Sequence, residues 1–178
     1  MKKVHLLSLL LTLSIMGFSQ KPLLFEKIIK TDSLDKEDLY SVIYEWFASS
    51  YNSSNDIIQM ADKENGIIIG QGKIKYVPIK YGYICYSGYI DYTVRVDIKD
   101  KRYRIVLSNF YLKNHGTQNC QLGLITDAKN FSEKGIHKNH QNETWQDIQN
   151  KITAFSNIIF LSLESYTKEE RVNNSDNW

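Results

Sequence analysis

The clearest pattern in the chain is the alternation of apolar and polar residues in two consecutive stretches. Apolar residues occupy every second position from Ile90 to Ile98, and after Lys99 a new alternation runs from Arg102 to Tyr111. A period of two is typical of strands that bury one face and leave the other in water. The pattern therefore predicts two long strands that are adjacent in the sequence.

A two-residue loop at Asp100-Lys101 gives these strands a consistent antiparallel register. It places Ile98 opposite Tyr103 on the apolar face and Asp97 opposite Arg104 on the polar face. A slip of one residue in either strand would mix the two faces. We therefore predict a long hairpin with Tyr92, Tyr103 and Tyr111 on its core face.

Apolar residues at helical spacing predict two helices. The first begins at Asp35, which can cap the helix, and has acidic residues in its first turn. Its apolar stripe consists of Leu39, Val42, Ile43, Trp46 and Phe47. The second begins at Thr144 with Asp147 three residues later, and its stripe consists of Trp145, Ile148, Ile152, Phe155 and Ile159.

Further strands complete the predicted fold. One spans Phe25 to Thr31, and two more, Ile57 to Ala61 and Gly66 to Tyr76, flank the hairpin signal Asn65-Gly66. The segment from Lys113 to Asn142 is polar and predicts irregular connections with one short strand between Leu122 and Ile125. The order of elements predicts an α+β fold of the form β-α-β-β-β-β-α, an antiparallel sheet with two helices on one face.

The N-terminus has the features of a secretory signal peptide in residues 1–19. Lys2 and Lys3 precede an apolar run from Val4 to Phe18, and small residues, Gly17 and Ser19, stand before a cleavage site at Gln20. No cysteine follows this run, so we do not expect a lipoprotein. An uncleaved N-terminal anchor is the alternative. We predict one domain over residues 20–166, a frayed polar tail over 167–178, and a location in the periplasm or outside the cell.

Charge and composition narrow the function classes. The chain of 178 residues has 22 Lys and Arg against 20 Asp and Glu, but two of the lysines belong to the signal peptide, so the mature chain is formally neutral. Nucleic-acid binding is not expected, because no basic patch is obvious in the sequence. No second apolar run is long enough to cross a bilayer, so we expect no membrane-spanning segment after the signal peptide is removed. Because we predict export, the expected partner is an envelope protein or a glycan.

Several residues and motifs of the chain resemble those of a known family. The acidic helix start, Leu39-Tyr40, Trp46, the glycine-rich run from Asp62 to Gly72 and the hairpin IKDKRYRI resemble an exported bacterial family, a domain of unknown function with a TATA-binding-protein-like fold. The resemblance covers roughly Phe25 to Lys113, and the family tends to have Gly where this hairpin has Lys101. It implies the fold and export, but no activity or catalytic residues. DNA binding does not follow from the name of the fold.

Two groups of residues are candidates for chemistry at a metal or sulfur centre. Cys85 and Cys120 are the only cysteines, and an oxidising compartment permits a disulfide between them; two free thiols are the alternative. His137 and His140, with His115 and Cys120 upstream, are weak candidates for zinc because structural zinc sites have tighter pairing. We expect no cofactor and no metal.

Tyrosine is the unusual residue of this chain. Eight of the 12 tyrosines lie between Tyr76 and Tyr111. The four in the glycine-containing part of this segment are candidates for a binding surface, namely Tyr81, Tyr83, Tyr86 and Tyr89. Packing within the sheet is the alternative explanation.

The sequence contains no Walker loop, no dinucleotide-binding fingerprint and no serine elbow, and no other recognisable catalytic motif. We therefore predict an exported binding or accessory module of the cell envelope. The alternatives are a hydrolase-like envelope enzyme whose site is scattered along the chain, or a structural subunit.

Overall fold

The computed structural model describes residues 21–31, 34–51, 57–114, 120–128 and 138–173. The predicted signal peptide lies outside these residues. In chain order the elements are β1 (Phe25–Lys30), α1 (Lys36–Ser50), β2 (Ile58–Asp62), β3 (Ile67–Tyr76), a 3₁₀ helix (Tyr81–Tyr86), β4 (Gly88–Lys99), β5 (Arg102–Asn114), β6 (Gly123–Leu124) and α2 (Lys138–Asn173). Among the described residues, no helix has the length and apolar character needed to span a membrane.

The strands form one antiparallel sheet in the order β1-β5-β4-β3-β2, and the short β6 pairs with β5 beyond the end of β1. Alternate residues of the strands are buried together with the apolar stripes of α1 and α2 in a single core. The predicted α+β fold, with both helices on one face of an antiparallel sheet, is confirmed.

The predicted hairpin register holds next to the turn. Ile98 pairs with Tyr103 and Asp97 with Arg104. Lys101 adopts a φ of 59°, which a lysine seldom adopts without support from its surroundings. Here the Thr31 amide donates to the Lys101 carbonyl and the Lys101 amide donates to the Leu34 carbonyl, so the connection between β1 and α1 holds the turn.

Further from the turn, a β-bulge changes the register. Thr93 pairs with Ser108 and Asp91 with Tyr111, so two residues of β5 oppose one residue of β4. Asn109, the extra residue, has a φ of 57°. Because an inserted residue reverses the alternation of faces, Phe110 enters the core and Tyr111 turns outward. The prediction that Tyr111 lies on the core face is wrong.

The predicted start of α1 is confirmed. One carboxylate oxygen of Asp35 accepts hydrogen bonds from the amides of Glu37 and Asp38, at 2.9 and 3.0 Å. These amides would otherwise have no partner inside the helix. The predicted apolar stripe of α1 is buried throughout.

Helix α2 is longer than predicted at both ends. It begins at Lys138, so Thr144 is not its first residue but lies inside the helix and is buried. At the other end the helix continues to Asn173 instead of becoming a frayed tail at Thr167. Thr167 is only 2% exposed, and its hydroxyl lies 3.2 Å from the Tyr103 hydroxyl. The residues of both extensions are mostly polar in sequence, so they give no apolar signal of a helix.

An ion-pair cluster ties α2 to β1 and predicts a pH dependence of stability. The two carboxylate oxygens of Glu164 accept hydrogen bonds from Lys168 at 2.8 Å and from Lys27 at 2.7 Å, and these lower the pKa of Glu164 to about 2. Because the folded-state pKa lies below that of the unfolded chain, the stabilisation is complete above about pH 4.5 and is lost as the pH falls toward 2.

We expect Glu164→Gln to lower the free energy of unfolding at pH 7 by about 0.5–1 kcal/mol, since the lysines are largely exposed. Urea unfolding at pH 7 and at pH 2.5 measures the effect, and the difference from the natural chain should shrink at the lower pH. Glu45→Gln on the exposed side of α1 is the matched control. An equal loss at both pH values would contradict the role of the carboxylate.

Candidate functional site

The sheet has a second face, opposite the helices, that no described element covers. We call this the open face, and define it by the outward residues of four strands. They are Glu26, Ile28 and Lys30 of β1; Ile67, Ile69, Gln71, Lys73 and Lys75 of β3; Tyr89, Asp91, Thr93, Arg95, Asp97 and Lys99 of β4; and Arg102, Arg104, Val106, Ser108, Tyr111 and Lys113 of β5.

A network of charged groups lies near the hairpin end of the open face. Asp97 is in contact with Arg95 and with Arg104, each at 2.7 Å, and Glu26 lies 3.8 Å from Arg104. Burial opposes the ionisation of Asp97, but the hydrogen bonds from the two guanidinium groups outweigh it and lower the pKa of this carboxyl group. The hairpin register places Asp97 directly opposite Arg104, so the sequence itself positions this pair.

The other end of the open face carries two exposed tyrosines. Tyr89 is 46% exposed and Tyr111 is 45% exposed. Tyr89 pairs with Lys113 and Tyr111 pairs with Asp91, so the two rings occupy successive rows on adjacent strands. A salt bridge between Asp91 and Lys113 lies between them. Tyrosines of this kind offer a large apolar surface with a hydroxyl at its tip.

A depression of about 370 Å³ opens on the open face at the hairpin end. Its lining includes the side chains of Ile28, Asp97, Lys99, Arg102 and Arg104. Ile28 is 60% exposed, and it pairs with Arg104 across β1 and β5. The depression thus combines an apolar side chain with several hydrogen-bond donors.

A second, smaller pocket of about 190 Å³ lies on the helix side of the sheet, between the 3₁₀ helix region and α2. Tyr76 donates a hydrogen bond to Asp147 at 2.7 Å, and Tyr83 donates to Glu143 at 2.8 Å. Burial and the carboxylate of Asp147 raise the pKa of Tyr76, so its hydroxyl stays protonated. Lys80 pairs with Glu143, and hydrogen bonds from Lys80 and Tyr83 lower the pKa of this glutamate.

This second pocket is below the size of ordinary ligand sites, which occupy roughly 300–1,000 Å³. Its acids Glu143 and Asp147 already accept hydrogen bonds from Lys80, Tyr83 and Tyr76. The buried hydroxyl of Thr144, which also lines the pocket, has no hydrogen-bond partner among the described residues. Apart from Thr144, the polar groups named here are therefore paired with one another.

The structure does not bring the four candidate tyrosines together on one surface. Tyr86 is buried in the core, Tyr83 lines the pocket beside α2, and Tyr89 lies on the open face. Tyr81 begins the 3₁₀ helix. The neighbour of Tyr89 is instead Tyr111, which the sequence pattern had assigned to the core. Asn109 was the signal that could have revealed this, because asparagine tolerates the left-handed conformation of a bulge.

The two cysteines are joined by a disulfide in the structure. Cys85 and Cys120 have Cα atoms 5.9 Å apart, and the side-chain amide of Asn114 donates to both of their carbonyls, at 3.0 and 2.7 Å. Cys120 is therefore not a free thiolate for a metal. His115 and His137 lie outside the described residues, within which no group of three potential metal ligands occurs.

Comparison with known proteins identifies the family. A family model described as a domain of unknown function (DUF4468) with a TBP-like fold matches residues 25–113. The chain belongs to this family. The matched segment contains every residue of the open face as defined above, whereas Glu143, Thr144 and Asp147 of the smaller pocket lie beyond it.

Solved structures from the Bacteroidetes agree with this assignment. A DUF4468 family protein from Bacteroides ovatus superposes with a TM-score of 0.60 at 14% identity, covering 82% of this chain and 86% of that chain. A TBP-like protein from Parabacteroides distasonis gives a TM-score of 0.52, also at 14% identity, over 83% and 93% of the two chains. At this identity the likeness shows the fold alone. No protein with a curated description matches this chain.

Proposed function

We propose that this protein is an exported binding module of the cell envelope, and that it engages its partner through the open face. The observation that carries the proposal is a long sheet face, left uncovered by the described elements, on which charged, aromatic and aliphatic side chains lie side by side. Export is the expectation drawn from the N-terminal 19 residues.

The dimensions of the open face suit a protein-sized contact. Four strands about 4.8 Å apart, with about ten residues along the longest strands, give a surface on the order of 600 Å². A standard interface takes about 800 Å² from each partner. A partner that also contacts the sheet edges would reach this area.

The composition of the open face also favours binding. Arginine and tyrosine are enriched where proteins contact one another, and the open face presents Arg95, Arg102, Arg104, Tyr89 and Tyr111. The enzyme alternative has less support, because the smaller pocket near α2 is narrow and its charged groups already pair with each other. Binding is therefore the function that the geometry supports best.

Site-directed photo-crosslinking in the native cells tests this proposal. We expect Tyr89→p-benzoylphenylalanine and Tyr111→p-benzoylphenylalanine to give the same covalent adduct in the exported fraction, where the intact mass of the protein should begin at Gln20. Tyr44 is the matched control, since it is a 41% exposed tyrosine on α1. Adducts only from Tyr44→p-benzoylphenylalanine, or none from the two positions of the open face, would overturn the proposal.

A further inference from the structure

The open face has a marked excess of positive charge, although the mature chain is formally neutral. It carries eight Lys and Arg side chains, one on β1, two on β3, two on β4 and three on β5, against one acid on β1 and two on β4. The total composition hides this segregation. The compensating acids of the chain lie elsewhere on the molecule.

The three acids of the open face are already engaged. Asp97 contacts Arg95 and Arg104, Glu26 approaches Arg104, and Asp91 contacts Lys113. Five cations of this face have no ion pair with any described residue: Lys30, Lys73, Lys75, Lys99 and Arg102. These are the groups that remain available to a partner.

Three of the five form a row across adjacent strands. Lys30 of β1 and Lys99 of β4 both pair with Arg102 of β5, one on each side. Directly opposed residues on neighbouring strands have Cβ atoms about 4.5–5.5 Å apart, and like charges in such positions repel each other. None of the three forms a salt bridge with a described residue, and the nearby Asp97 is already paired with Arg95 and Arg104. An external anion would therefore relieve this repulsion.

The row borders the depression of about 370 Å³, which Lys99 and Arg102 line together with Arg104, Ile28 and Asp97. The Asp97 carboxylate is held by Arg95 and Arg104, so Lys99 and Arg102 keep their donors for a ligand. The planar guanidinium of arginine matches a carboxylate with two parallel hydrogen bonds. Ile28, 60% exposed, adds an apolar contact beside these donors. The site combines hydrogen-bond donors that suit a carboxylate with an exposed aliphatic side chain. It therefore fits an acidic side chain carried on a polypeptide better than an isolated phosphate.

We propose that the row formed by Lys30, Arg102 and Lys99, with the depression beside it, binds a carboxylate-bearing segment of an acidic partner protein. The inference rests on the proposed function, because it names the kind of partner that the open face receives. Tyr89 and Tyr111, at the far end of the same face, would contact the continuation of that partner.

A defined probe tests the inference. A fluorescein-labelled decapeptide of alternating Glu and Ala should bind the mature protein with an affinity that falls as salt rises, and the same peptide with Gln for Glu should not bind. We expect Lys99→Gln combined with Arg102→Gln to weaken binding of the Glu peptide at least about tenfold, as loss of charge-assisted hydrogen bonds requires. Fluorescence anisotropy measures both.

The matched control is Lys151→Gln combined with Lys168→Gln, which removes the same charge from α2 on the other side of the sheet. It should leave binding of the Glu peptide unchanged. Because the exchanges at Lys99 and Arg102 relieve like-charge repulsion, thermal unfolding should show that this double variant folds at least as stably as the natural chain.

Other outcomes would overturn the inference. It fails if the Glu peptide does not bind, if both double variants weaken binding equally, or if a heparin fragment, tripolyphosphate or an oligonucleotide binds at Lys99 and Arg102 while the Glu peptide does not. Crosslinking from Tyr89 and Tyr111 separates the two proposals. If those adducts form but the Glu peptide does not bind, the binding module stands and only the acidic partner is rejected.

Discussion

Replacing Trp46 by alanine is expected to lower the free energy of unfolding by about 3–5 kcal/mol, a large part of the stability of an ordinary domain. Trp46 is fully buried, and its ring contacts Phe47 and Tyr51 with centroids 5.0 and 6.0 Å away. Its indole nitrogen donates to the Ser162 hydroxyl at 3.1 Å, which joins α1 to α2. The substitution removes both the packing and this link.

Urea unfolding followed by circular dichroism measures the loss. Ser162→Ala removes only the hydrogen bond and should cost about 1 kcal/mol, so it separates the link from the packing. Trp46→Phe keeps most of the ring volume and should fall between the two. A loss below about 1 kcal/mol for Trp46→Ala would mean that this side chain does not sit in the core.

The second large effect is expected from the disulfide. Exchanging both Cys85 and Cys120 for alanine should lower the free energy of unfolding by about 3–4 kcal/mol, because the bond closes a loop with a sequence separation of 35 residues. Its loss gives the unfolded chain more conformational freedom. The effect on the folded state should be small, since Asn114 still donates to both carbonyls.

Reduction of the natural protein with dithiothreitol should lower its stability by a similar amount, whereas the same treatment should leave the alanine variant unchanged. Thiol labelling of denatured, unreduced protein is the direct check. Two labelled thiols per chain would show that the bond is absent. Asn114→Ala serves as the local control and should cost about 1 kcal/mol.

The elements with strong periodicity could be predicted from the sequence. The hairpin between β4 and β5 was specified near its turn because apolar residues and opposite charges coincide in a single register, as in the pairing of Asp97 with Arg104. The start of α1 was equally clear, since Asp35 is a good N-cap residue and acidic residues follow it in the first turn. Local chemistry decides both features.

Features that depend on one inserted residue could not be predicted from periodicity. The bulge at Asn109 moves Tyr111 out of the core, and the asparagine itself is the only local signal of it. The beginning of α2 was misplaced because Thr144 resembles a cap, yet the polar residues before it also form helix.

The candidate site was harder still to predict. The tyrosines singled out in the sequence divide between the core, the smaller pocket and the open face, since Tyr83 and Tyr86 belong to the 3₁₀ helix whereas Tyr89 is an outward residue of β4. The cationic row at Lys30, Arg102 and Lys99 joins residues from three strands. Its members are dispersed over about 70 positions of the chain, so only the order of strands in the sheet reveals it.

The place of β1 in the sheet also has a consequence for the time course of folding. Among the described elements β1 is the first to be synthesised, yet its strand partner there is β5, so that Phe25 must meet Leu107. The hairpin of β4 and β5 can close locally, whereas the closure of such a long loop is slow. A newly made chain therefore carries an unpaired strand β1 until Leu107, 82 residues after Phe25, has followed. This interval is when the chain is most exposed to pairing with a neighbouring copy.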